Sequence, residues 1–443
     1  MNQSFKTPQL ISLCKKEEYI NYGISLEDFK IELDSQYEQI IEESFEFSIT
    51  NTGDFFLTEQ LKDKLILRKL NDNIKRIYKD EQANRRIIIS QIITLLSETC
   101  PHWVIKTDIK SFFESINTEK LIQKFQDDSI LSYQSMFLLK KIFSNSTLIH
   151  STGLPRGMNI SSTLSEIYMR KFDKWVRRFD GVYYYARFVD DIIIFSHNLK
   201  DAIKLIGELN KNLSDLAFGL EINESKTELF EGNFLKLLDK NTGEKISNGK
   251  DLEYLGYLFR KVDENKREAK FQKFNKIEKL RYTIDDRQSE IINENISYIQ
   301  FNSINEKPKP TLKVSIAKKK VTKIKTRIIK TFLDFGKNKN FELLKKRIKF
   351  LTGNYSIRKT IEGNDLRAGI YYNYTNINDL SIFIDLNTFY TRTLYSKNSF
   401  GAKVGLSISQ KKELKKFCFY SGFKNKVYHP FTYIEMEEII KCW

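Results

Sequence analysis

Residues 187–195, RFVDDIIIF, place two carboxylates side by side between Phe188-Val189 and Ile192-Ile193-Ile194-Phe195. Apolar runs rich in β-branched and aromatic residues read as strands, and a polar pair between two such runs reads as a hairpin turn. A surface turn is the plain explanation, because Asp tolerates turn geometry. A second acidic strand end upstream changes its weight. In WVIKTDIKSFFESI (103–116), Val104 and Ile105 lead a strand that ends at Asp108, with Phe112, Phe113 and Ile116 after it. One Asp at a strand end is ordinarily a cap, but two acidic strand ends in one domain can converge. Three carboxylates within about 4 Å of one another repel by several kcal/mol per pair at an effective dielectric near about 20. Protonation or bound cations relieve that repulsion, and an all-oxygen site of this kind selects Mg²⁺ or Mn²⁺.

The segment between these strands, STGLPRGMNISSTLSEIYMRKFDKWVRRF (151–179), opens on Gly153 and Gly157 around Leu154-Pro155-Arg156. Such a backbone can approach a ligand closely. Thr163 and Glu166 have capping-box spacing, which predicts a helix beginning there. Leu164, Ile167, Tyr168, Phe172, Trp175, Val176 and Phe179 mark its buried stripe. Downstream, FGLEINESKTELF (218–230) carries Lys226 in a polar setting, and YLGYLF (254–259) reads as a further strand with Gly256 inside it.

Composition bounds the partners. The chain has 443 residues, is 41% hydrophobic and carries a formal charge of +16. That is a folded protein of two or three domains with an anionic partner, nucleic acid first and an acidic membrane surface second. Residues 311–350 hold 14 Lys and Arg against 2 Asp and Glu, a stretch that follows KPKP at 307–310. Val321, Ile324, Ile328 and Phe332, then Leu344, Ile348 and Leu351, recur at helical spacing, so the lysines are expected on the solvent side of amphipathic helices. A face so uniform in sign suits a phosphate backbone and a salt-dependent affinity. Cys14, Cys100, Cys418 and Cys442 lie far apart without CxxC spacing. A zinc ribbon or disulfide scaffold is disfavoured, and a reducing compartment fits. The N-terminus lacks a secretory apolar core, and no apolar run approaches the roughly 20 residues of a membrane span. A cytoplasmic protein away from the membrane is the expectation.

The ordered set of motifs resembles the reverse transcriptase family. TDIKSFF is similar to its first catalytic strand and GLPRGMNISS to its nucleotide-side glycine loop and helix. YARFVDD resembles its aromatic-x-Asp-Asp hairpin, GLEINESKT its conserved-lysine segment and YLGY its primer-grip hairpin. The match covers roughly residues 75–260. It implies an α+β right-hand polymerase of fingers, palm and thumb with an antiparallel palm sheet. The expected division is a helical N-terminal extension (1–60), fingers and palm (61–265), and a basic, mostly helical thumb and C-terminal region (266–443).

Carried over residue by residue, the resemblance makes Asp108 and Asp190 the principal ligands of two Mg²⁺ ions, with Mn²⁺ as the other option. Asp191 lies beside them and the Ile109 carbonyl completes one shell. Lys226 becomes the general acid toward pyrophosphate, and Phe113 the steric gate against a ribose 2′-OH, so that the product is DNA. Packing of the palm is the other reading of Phe113. Arg156, beside Gly157, contacts either the incoming nucleotide or the template. Arg85 and Arg86, in DEQANRRIII (80–89), match the fingers segment that grips the triphosphate, although surface arginines would look the same. Ser161-Ser162 stands where the family commonly has Ser-Pro, and Phe188 replaces the usual Tyr. Those variants look most like bacterial retron, abortive-infection and other antiphage-defence enzymes. Implied partners are dNTPs, an RNA template (a dedicated noncoding RNA among the options) and the DNA product. A second defence protein or further copies of the chain are also implied. Untemplated or protein-primed DNA synthesis and a non-polymerising RNA-binding scaffold are the alternatives.

Overall fold

The computed structural model describes residues 2–14, 18, 19, 22–53, 55–79, 83–148, 153–246, 251–262, 311–359 and 365–443. The expected stretches 80–82, 151–152 and 307–310 lie outside them.

At the centre is a five-stranded antiparallel sheet. Its strands are β3 (Trp103–Asp108), β4 (Val182–Phe188), β5 (Asp191–Ser196), β6 (Glu228–Glu231) and β7 (Lys236–Leu238), in the order β4-β5-β3-β6-β7. β3 and β5 pair with Val104 opposite Phe195 and Asp108 opposite Asp191. Alternate side chains leave opposite faces of a strand. Ile105, Ile192, Ile194 and Leu229 therefore join one core, while Val104, Ile193, Phe195 and Phe230 join another. Burial on both faces explains why Ile192–Phe195 is continuously apolar rather than alternating.

Helices cover the first face. α8 (Asn159–Arg177) buries Leu164, Ile167, Met169, Phe172 and Val176, and α9 (Leu199–Leu216) buries Leu205, Leu209 and Leu213. The spacing of Thr163 and Glu166 predicted a helix start, yet α8 begins four residues earlier. Ile160 is buried and extends the apolar stripe backward. Thr163 is buried mid-helix, its hydroxyl bonded to Asn71 at 2.6 Å. Asn71 lies on α3 (Leu61–Tyr78), which packs on α8, and α5 (Phe112–Ser115), α6 (Thr118–Asp128) and α7 (Tyr133–Phe143) add to the same core.

The N-terminal extension (1–60) reads as helical in sequence. It contains α1 (Thr7–Ile11) and α2 (Leu26–Ile41), but then a hairpin, β1 (Ile49–Asn51) and β2 (Phe56–Thr58). Thr52 and Gly53 form the turn, which a 3.6-residue reading overlooks.

The second face of the sheet carries α4 (Arg85–Ser97), capped by the Asn84 side chain, and a three-stranded sheet. YLGYLF is two strands rather than one: β8 (Leu252–Tyr254) and β9 (Tyr257–Val262), turning at Leu255 and Gly256, both at positive φ. β10 (Thr311–Ile316) adds to β9 across six paired positions. The basic helices follow as α10 (Lys318–Asn338) and α11 (Phe341–Thr352), then a hairpin of β11 (Asn354–Lys359) and β12 (Asp365–Gly369), and α12 (Ser381–Tyr395). Shorter helices at Phe400–Lys403, Ile408–Lys415, Phe419–Lys424 and Tyr433–Ile440 complete the chain. Among the described residues, no helix is long and apolar enough to cross a membrane.

Candidate active site

β4 and β5 are joined by Val189 and Asp190. Val189 has φ +62°, unusual for a β-branched residue, and this left-handed step makes the turn tight. The turn is held from below. Arg187, buried on β4, donates to the Val189 carbonyl at 2.9 Å, to Asp173 at 2.8 and 2.9 Å, and to Glu166 at 2.6 and 3.0 Å. Tyr185 donates its hydroxyl to Asp173 at 2.5 Å. Glu166 and Asp173 lie two turns apart on α8, so the helix presents both acids to one guanidinium. Sequence reading assigned Arg187 no role. The available signal was an Arg inside an apolar strand with two acids seven residues apart upstream.

The turn sets Asp190 beside the end of β3, where the Ile109 N–H donates to the Asp190 carbonyl at 3.3 Å. Asp108 and Asp190 both line a cavity of about 1000 Å³. Burial pushes the Asp190 carboxyl up, and the Asp108 charge pushes it further. Asp191 is pushed up to about 6, first by burial and then by Asp190 and Asp108. Lys226 is the nearby cation. It sits on a short 3-10 turn, Glu224–Lys226, and donates to Asp108 at 2.8 Å, which raises its own pKa.

Phe113 and Ile109 line this cavity too, with Arg156 and Gly157. Phe113 is fixed through its backbone, since its carbonyl accepts the Leu154 N–H at 2.7 Å. A Cβ on Gly153 would lie 2.1 Å from that carbonyl, so the glycine loop and the Phe113 segment fit only without a side chain there. Ser161 donates its hydroxyl to the Pro155 carbonyl at 2.6 Å and closes the loop onto α8. Arg156 pairs with Glu114, one residue beyond Phe113.

Two expected cavity residues lie elsewhere. Arg85 donates to the Leu255 carbonyl at 2.6 and 3.0 Å and to the Asn373 carbonyl at 2.9 Å, with Tyr257 and Tyr374 beside its guanidinium. Arg86 reaches the Tyr372 carbonyl at 3.3 Å. Arg85 thus belongs to a second cavity of about 870 Å³, on the other side of the Asp pair. Asp190, Asp191, Tyr254, Lys319, Lys320 and Lys323 also line it. The Tyr254 hydroxyl donates to the Asp191 carbonyl at 3.0 Å and ties the β8–β9 turn to the acidic turn. Residues of the first cavity that sequence reading missed include Phe55, Asn71 and Lys75.

The family model described as reverse transcriptase (RNA-dependent DNA polymerase) matches residues 60–259. The match to a reverse transcriptase domain thus takes in somewhat less than half of the chain. The matched stretch is therefore a nucleotidyltransferase domain, and its mixed architecture with antiparallel sheets fits a right-hand polymerase. No curated protein matches the chain. Among solved structures, it is similar to apo telomerase from Candida tropicalis truncated from the C-terminal domain, at 13% identity and TM-score 0.31. That alignment covers 53% of this chain and 51% of the other. It is also similar to telomerase from Candida albicans in complex with a TWJ fragment of telomeric RNA, at 11% identity and TM-score 0.32, over 90% of this chain and 56% of the other. The chain thus spans about half the length of the telomerases it matches.

Reverse transcriptase domains generally use divalent cations, and the donors fit one. Asp108 and Asp190 offer hard carboxylate oxygens whose mutual repulsion is only partly met by Lys226. Among the described residues, no three His, Cys, Asp or Glu side chains reach metal-ligand spacing, so the carboxylates present themselves as a pair rather than a triad.

Proposed function

We propose that the chain copies RNA into DNA, with Asp108 and Asp190 as metal-holding carboxylates, Asp191 as their neighbour across the turn and the Ile109 carbonyl as an added ligand. The reading is supported chiefly by one observation: the register of β3 and β5 sets Asp108 opposite Asp191, and the turn between puts Asp190 with Asp108 on a cavity walled by Phe113 and Lys226. Two Mg²⁺ ions, when bound, would activate a primer 3′-hydroxyl and neutralise charge on the triphosphate.

The chain's own residues supply the rest. Asp108 and Asp190 bring the charge that binds and orients the ions. Lys226 is the cation within reach of the departing pyrophosphate, to which its ammonium gives a proton once it leaves Asp108. Phe113 excludes a ribose 2′-OH, held in place by the glycine loop behind it. Arg156 and Gly157 border the nucleotide. Arg85 and Arg86 shape the β8–β9 side of the site rather than the triphosphate end, where Lys75 is the available fingers cation. The exposed Lys319, Lys320 and Lys323 line the second cavity and suit nucleic-acid phosphates.

The Ser161-Ser162 and Phe188 variants favour a cytoplasmic antiphage-defence role with a dedicated noncoding RNA as template. The test is incorporation of labelled dNTPs by purified protein with its copurified nucleic acid and Mg²⁺, beside Asp190→Asn. An Asp190-dependent product complementary to a bound RNA is expected. Equal incorporation by both proteins would overturn the assignment.

A further inference from the structure

The β1–β2 hairpin precedes the stretch that matches the family model, yet it builds part of the active-site wall. Phe55, at its tip, lines the cavity of Asp108, Asp190 and Phe113. Three aromatic rings face this space. Phe112 is buried, Phe113 is part-buried against it, and Phe55 is 51% exposed, the most open of the three.

Thr52, Gly53 and Phe56 anchor the hairpin on either side of Phe55. Thr52 donates its N–H and its hydroxyl to the Phe55 carbonyl at 2.9 and 3.0 Å, and Gly53 donates to the Asn51 side chain at 2.8 Å. The Phe56 N–H then donates to the Arg156 carbonyl at 2.7 Å, stitching the hairpin to the glycine loop. Behind the hairpin, Asn145 donates to the Phe47 carbonyl at 2.8 Å and Thr147 to the Ile49 carbonyl at 3.1 Å. A Cβ on Gly157 would come within 2.9 Å of the Phe56 carbonyl and 3.1 Å of the Phe55 Cβ. Gly157, at φ +95°, is thus small partly because Phe55 sits against it.

We propose that Phe55 is a stacking platform for a nucleobase in the active-site cavity. The inference rests on the polymerase reading. Lys75, Lys226 and Arg156 give the cavity charges suited to phosphates, and on the polymerase reading Phe113 meets the sugar. A flat, exposed ring on the glycine-loop side is left for a base. Base–aromatic stacking tolerates any sequence because every base has a π face. The base comes either from the incoming nucleotide or from the template strand.

Phe55→Trp keeps a ring at the hairpin tip and reports contact directly. Its emission, compared with wild type under the same additions, is followed with the unreactive α,β-imido analogue of dGTP and, separately, with oligo(rA). Saturable quenching by the analogue places the incoming base on residue 55, and quenching by oligo(rA) places a template base there. Quenching by neither overturns the proposal. In steady state, Phe55→Ala and Phe55→Leu should both raise KM for the quenched partner by roughly 5- to 150-fold, with Phe55→Tyr near wild type. Equal loss in Phe55→Tyr, or KM within about twofold in Phe55→Ala, would also overturn it. Failure of the polymerase reading shows separately, as incorporation by wild type that does not depend on Asp190.

Discussion

Two charged centres sit a few residues apart on β4 and β5, and they are solved in opposite ways. Around Arg187, the guanidinium donates to two carboxylates and a carbonyl, and Tyr185 satisfies Asp173 further. Around Asp190, Lys226 bonds one carboxylate, Asp108, while burial and mutual repulsion raise Asp190 and Asp191. A chain able to build the first could have neutralised the second. The hairpin tip, where charge is less compensated than in the cluster three residues before it, is where the proposed cation would sit.

The largest expected contrast is catalytic. Asp190→Asn should lower nucleotide incorporation by about ten-thousandfold or more, over 5 kcal/mol at 1.36 kcal/mol per decade, without loss of folding. Near-normal rates would dissolve the distinction between the two centres. Next is stability. Arg187→Met takes the guanidinium from buried Asp173 and part-buried Glu166 and should cost about 3–5 kcal/mol in chemical denaturation. Replacing Glu166, Asp173 and Arg187 together by apolar residues should recover much of that loss; no recovery would mean that shape, not charge, holds the cluster.

A smaller effect has opposite signs at the two centres. Without divalent ions, Asp190→Asn should raise the melting temperature, because a raised carboxyl pKa means the folded state disfavours its charge. Added Mg²⁺ should stabilise wild type by about 1–3 kcal/mol through linkage, and Asp190→Asn much less. Phe113→Val should relax discrimination against ribonucleotides by roughly ten- to a hundredfold, read from paired kcat/KM values. The mildest test contrasts α10 with α11. Lys319, Lys320 and Lys323 to Gln should lower the salt slope of nucleic-acid binding by up to about 0.9 per lost phosphate contact. Lys345→Gln and Lys346→Gln should not, since Glu342, Glu413 and Glu435 already pair those lysines.

How far these features could be read in advance follows from their range along the chain. The acidic turn, the glycine loop and the Lys226 segment were legible because each is a local pattern. So were the apolar stripes of α10 and α11. Arg347 shows the limit: it lies in a basic helix, yet it is buried, pairing with Asp334 and donating to the Ile439 and Glu438 carbonyls. Arg85 is similar, for its acceptor at Leu255 is 170 residues away. Which side of a helix meets a distant carbonyl is not encoded nearby. The β1–β2 hairpin did have a local signal, a Thr-Gly turn between Ile49 and Phe55-Phe56-Leu57, hidden by its neighbouring helices.

The pairing of β10 with β9 reaches beyond the active site. The family match stops at Phe259, inside β9, whereas the partner strand of β9 begins at Thr311. A chain cut at the family boundary would shorten β9 and strip its outer edge, baring hydrogen-bonding groups next to Tyr257 and Phe259, both buried in the full chain. An open edge backed by aromatic side chains is a template for chain-to-chain pairing. The unit that keeps this sheet paired therefore extends through Ile316, and ribosomal synthesis must pass that point before the sheet can close.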